Sequence, residues 1–182
     1  MKVDTFAALP VMSLSMAMVT IIGQNKGAGN KILLKKYEKY GKLGGLVFGI
    51  AMTVIMQLFG PTIVMIFISS NETEVVRYGS MYIKSLSTMY ILVTYFEVSF
   101  GIIKGKGKTH IPMIISIIGI WLIRVPLAWI MIHQYGFLGI CLAIPLAWLA
   151  MFVLTVIYQY MQKKDNRKGV LCNGRQGIKK IL

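Results

Sequence analysis

Apolar residues in this chain come in long unbroken runs. Five stand out, Phe6–Ile22, Leu43–Ile68, Tyr78–Ile103, Ile111–His133 and Phe137–Met161, each 17 to 26 residues long. Crossing a hydrocarbon core of roughly 30 Å takes about 20 residues of α-helix. A membrane barrel would instead show alternating segments of about 10 residues, and none is visible. A helix satisfies its own backbone in lipid, so the pattern predicts an all-α integral membrane protein with five transmembrane helices. The domain expectation is a transmembrane domain over residues 1–161 and a basic cytoplasmic tail over 162–182. A signal peptide is a poorer reading of the first run, because its lysines follow the apolar core, whereas a signal peptide carries them in front.

The polar segments then supply an orientation. The stretch GQNKGAG, Gly23 to Gly29, separates the first two runs and reads as a glycine-rich hinge built on Gly23, Gln24, Gly27 and Gly29. Six lysines lie between Gln24 and Lys42, three between Lys104 and Thr109, and seven basic residues follow Gln162. The alternate loops, Ser69–Arg77 and Gln134–Gly136, hold only Arg77. Every basic segment falls on one side, which the positive-inside rule makes cytoplasmic. The C-terminus is then inside and the N-terminus outside, an arrangement that hints at further spans upstream.

Composition supports the bilayer as solvent. The chain is 56% hydrophobic and 14% charged, against about 45–50% and about 25% for a soluble domain. The net charge of +14 would ordinarily raise nucleic acid as a partner. Here the charge sits in loops between apolar runs, so no nucleic acid is expected. Cys141 and Cys172 suggest neither a disulfide framework nor a metal site.

Candidate chemistry lies inside the runs, because ionisable groups in lipid are costly and often functional. Glu97 is about 9 Å from the inner end of the third run, and a carboxyl there could exchange a proton. Arg124 is about 20 Å into the fourth, where an arginine should turn into the bundle and find a carboxylate or carbonyls. The two depths differ by about 10 Å, so the pair can meet only if one side chain stretches. Either residue can equally be a polar pin between helices. Lys84, about 28 Å up the third run, reads as an interfacial anchor. Pro126 and Pro145 read either as ordinary membrane-helix composition or as bending points. Gly107-Lys108-Thr109 lacks the leading glycine of a phosphate loop, since position 102 is Ile102. Asn71-Glu72-Thr73 is a glycosylation triplet by pattern only. His110 and His133 lack metal-ligand spacing. Catalysis has no support.

Several of these residues also carry a resemblance. Asp4-Thr5-Phe6-Ala7-Ala8, Pro10, Gly23-Gln24-Asn25 and Gly27-Ala28-Gly29 resemble the eighth helix and following loop of multidrug and toxin extrusion (MATE) transporters. Gly101 to Gly107 looks like the family's glycine-rich exit from the tenth helix. Trp121, Arg124, Val125, Pro126 and Leu127 resemble its W-x-x-R-x-P-L pattern in the eleventh, and Gly136 and Gly139 its turn into the twelfth.

The resemblance implies part of the second lobe of a twelve-helix, two-lobe antiporter of the plasma membrane. Such a protein exports organic cations or other amphipathic compounds, driven by H⁺ or Na⁺, with no cofactor beyond the coupling ion. Its remaining partner would be the missing N-terminal lobe or a second chain, without which no transport is expected. Family members with an acidic residue in the tenth helix would carry it near Val93, so Glu97 is a candidate on the same face. Two alternatives stay open. One is a lipid-linked sugar flippase of the same superfamily, for which Arg124 is the cavity cation; the other is a non-transporting membrane subunit.

Overall fold

The computed structural model describes residues 2–67 and 73–179. The outer end of the second run at Ile68 and the first two residues of the Asn71 triplet lie outside the described residues. The elements are α1 (Lys2–Gly27), α2 (Lys31–Phe67), α3 (Thr73–Ser87), α4 (Tyr90–Gly105), α5 (His110–Ile117), a π-helical segment (Ile118–Arg124), α6 (Val125–Tyr135) and α7 (Phe137–Lys179). No strand occurs among the described residues. Among the described residues four helices are long and apolar enough to cross a membrane, or up to five spans when the bent pair formed by α3 and α4 is counted as one.

The polar hinge is shorter than its sequence suggests. Gly23, Gln24 and Gly27 are still helical, as is the lysine-rich segment from Lys31. The chain turns only at residues 28–30. Gly29 takes φ +69°, its N–H donates to the Lys26 carbonyl at 3.1 Å, and the Asn30 N–H reaches back to the Asn25 carbonyl at 3.0 Å. This is a Schellman stop, for which glycine carries no Cβ penalty. The Asn30 side chain then accepts from the Leu33 N–H at 3.1 Å, capping α2. Helix stop and helix start share one turn, which replaces a flexible linker with a fixed corner.

The third run is not one straight helix. It breaks at residues 88–89, with a bend of 56° between the Gly79–Ser87 portion and α4. The cause lies in Leu86-Ser87-Thr88. The Ser87 and Thr88 hydroxyls both donate to the Lys84 carbonyl at 3.0 Å, a back-bonding that bends helices. Gln57 of α2 covers the break, its amide donating to the Thr88 hydroxyl at 3.2 Å. The depth assigned to Lys84 assumed a straight helix, so it does not hold across this bend.

Pro126 acts differently from a simple kink. It lies just inside α6, after the π-helical turn. Proline has no N–H for the Leu122 carbonyl, and the chain before it widens, so that the Val125 N–H reaches the Ile120 carbonyl five residues back. Pro145 is buried inside α7, whose helical assignment runs through it. The same helix continues past Met161 to Lys179.

The core is built around α4. Tyr90, Thr94, Phe96, Val98, Ser99, Phe100, Gly101, Ile102 and Ile103 are all buried, more than half of the helix. Glycines let backbones approach, as expected where lipid offers no hydrophobic drive between helices. Gly101 and Gly105 of α4 sit against Ser15, Val19 and Ile22 of α1, and Gly45 and Gly49 of α2 against Val98 and Thr94. Met18, Ile22, Val98 and Ile102 form one cluster, and Phe96, Phe100, Ile115 and Met151 another. Trp121 and Trp129 point outward, each 68% exposed. Apolar surface on this scale marks contact with a bilayer or with another protein surface.

Candidate functional site

α1, α4 and α7 enclose a pocket of about 140 Å³ lined by Ala8, Val11, Met12, Tyr90, Val93, Glu97 and Trp148. Its floor follows from helical spacing, because Tyr90, Val93 and Glu97 recur three and four residues apart on one face of α4. Trp148 comes from α7 and meets Tyr90 edge-on, ring centroids 6.2 Å apart. Ser15 of α1 donates its hydroxyl to the Glu97 carbonyl oxygen at 2.8 Å, locking α1 to α4 beside the pocket.

Glu97 is the one acidic residue among those lining the pocket. Among the described residues its carboxylate makes no ion pair; the pair found is Glu38–Lys106, at 2.9 Å. Arg124 ends the π-helical segment, half-buried. The fold does not join it to Glu97, so the stretched pair considered from sequence does not form. Val93, the position where the resemblance would put an acid, lines the same pocket as Glu97. Positions 93 and 97 face one cavity, because one turn of helix separates them.

The hinge glycines lie away from this pocket, at the opposite end of α1, and Pro126 and Pro145 are not on its wall. Sequence reading missed Tyr90, Trp148, Val11 and Ser15. The periodicity around Glu97 could have singled out Tyr90. The α1 and α7 partners could not be found that way, because they come from segments more than 50 residues distant. No cluster of three metal-ligating side chains occurs among the described residues.

The MatE family model matches residues 1–130. The chain belongs to the MatE family. It is 28% identical over 183 residues to the "Probable multidrug resistance protein NorM" of Thermotoga maritima, covering 96% of this chain and 37% of that one. It is 24% identical over 166 residues to the "Probable multidrug resistance protein YoeA" of Bacillus subtilis, covering 90% and 35%. The chain thus spans little more than a third of these MatE relatives. Among solved structures, an inward-facing multidrug resistance MATE transporter of the MOP superfamily superposes with TM-score 0.80 at 17% identity, covering 92% of this chain and 39% of that chain. An outward-facing one gives 0.77 at 19% identity, covering 88% and 36%. At these identities the structural likeness speaks for the MatE fold alone.

Proposed function

We propose that this chain is part of the second lobe of an ion-coupled efflux antiporter in the plasma membrane, with its C-terminus cytoplasmic. It would act with a complementary lobe to export small amphipathic or cationic compounds against H⁺ or Na⁺, as a transporter and not an enzyme. The observation that carries this is Glu97, a carboxyl without an ion pair among the described residues, on the wall of a pocket between α1, α4 and α7. An unpaired carboxyl in an apolar setting gains or loses a cation readily, and aromatic walls such as Tyr90 and Trp148 suit an organic cation. The names of the relatives, multidrug resistance proteins, support the substrate class. The near-equal fit to inward-facing and outward-facing neighbours suits a lobe that moves as a rigid unit during alternating access.

The test is Glu97→Gln in a transporter completed with a first lobe and reconstituted in vesicles. Efflux of a fluorescent organic cation, driven by a pH or Na⁺ gradient, should fall at least tenfold, with membrane insertion unchanged. Undiminished gradient-driven efflux would remove Glu97 from the coupling step.

A further inference from the structure

At the end of the bundle where α1 stops and α2 begins, lysines from four parts of the fold surround a basin of about 1200 Å³. Lys26 comes from α1, Lys35 and Lys42 from α2, Lys106 and Lys108 from the turn after α4, and Lys163 from α7. Glu38 also lines the basin, but it is already paired with Lys106. Two further lysines are held in place. Lys26 donates to the Lys106 carbonyl at 2.5 Å, and Lys42 donates to the Gln159 side-chain oxygen and sits 5.7 Å from the Tyr95 ring centre. Lys35, Lys108 and Lys163 are exposed, and their ammonium groups make no hydrogen bond or ion pair among the described residues. Beneath the charges lie Leu34, Ile102, Ile103 and Val156.

Gathered ammonium groups repel one another, and an anion seated among them relieves that repulsion. Lys31, Lys36 and Lys39 on the same helix are exposed and lie outside the basin, as an ordinary solvated lysine face does. Here the charges rim an apolar floor at the level where the spans end, which matches an amphiphilic anion. Basic pockets between membrane helices take lipid headgroups. We propose that this basin binds the phosphate headgroup of an anionic phospholipid, with Lys35, Lys108 and Lys163 contacting the phosphate. The site is separate from the Glu97 pocket and does not depend on what the protein transports.

The experiment titrates the delipidated full chain in detergent with cardiolipin, phosphatidylglycerol or phosphatidylcholine and counts bound lipid by native mass spectrometry. The two anionic lipids should bind far more tightly than phosphatidylcholine. Removing three charges with Lys35→Gln, Lys108→Gln and Lys163→Gln should weaken cardiolipin binding about a hundredfold. The charge-matched control Lys31→Gln, Lys36→Gln and Lys39→Gln should change it less than threefold. Lys108→Gln alone, in an exposed turn, should lose about fivefold and keeps the test decisive if the triple variant fails to fold. Equal losses in the two triple variants, or equal retention of phosphatidylcholine, would overturn the proposal. Complete displacement of the lipid by millimolar inorganic phosphate would also overturn it, reassigning the basin to a soluble anion.

Discussion

Gly101→Ala places a methyl group where α1 lies against α4. A Cβ at Gly101 would collide with the Ser15 carbonyl oxygen and stand 3.0 Å from both the Ser15 carbonyl carbon and its hydroxyl oxygen. Backbone cannot rotate aside as a side chain can, so α1 must retreat by about 1 Å to restore ordinary contact. Overpacking of this kind costs about 1–3 kcal/mol. The retreat also stretches the Ser15–Glu97 hydrogen bond, a contact worth about 0.6 kcal/mol between membrane helices. A total near 2–3 kcal/mol shifts the folded-to-unfolded ratio by roughly 30- to 150-fold. The assay is SDS titration of the purified chain followed by circular dichroism. Gly44→Ala is the reference, because nothing lies within 4 Å of a Cβ there. Gly101→Ala should unfold at clearly lower SDS than Gly44→Ala. Coincident transitions would refute the claim that backbone contact at this glycine holds α1 to α4.

Other substitutions probe other parts of the bundle. Ser99 is buried in α4 with its hydroxyl unpartnered among the described residues, so Ser99→Ala should stabilise by about 1 kcal/mol in the same titration. Gln57→Ala, which removes the amide covering the α3–α4 break, should cost about 0.6 kcal/mol and raise hydrogen exchange at residues 86–89. Glu38→Gln breaks a partly exposed ion pair and should change stability by no more than about 1 kcal/mol, a difference that added salt should erase. Among single-tryptophan variants in brominated lipid, those keeping Trp121 or Trp129 should be quenched strongly, and the one keeping Trp148, packed against Tyr90, weakly.

Much of this protein could be read without coordinates, because one-dimensional signals suffice for it. The length of each apolar run reports helix and bilayer together, since only a helix satisfies its backbone in lipid. The order of the glycine, tryptophan, arginine and proline motifs pointed to the MatE family, to which the chain belongs. Glu97 stood out for the same kind of reason, as the one acidic residue in its apolar run.

What the chain could not show in one dimension was decided by competition between local groups and by distant neighbours. The corner after α1 is sharp because two backbone donors and the Asn30 side chain close on one another. The third run bends where serine and threonine hydroxyls donate back to the Lys84 carbonyl. Arg124 misses Glu97 because depth along a helix says nothing about which way neighbouring helices turn their faces. The pocket around Glu97 needs Val11 and Trp148 from far parts of the chain; glycines let the α1 backbone approach α4, and Trp148 of α7 packs edge-on against Tyr90. Hydrophobicity sorts residues into lipid or water; only the packing of one helix against another decides which polar groups meet.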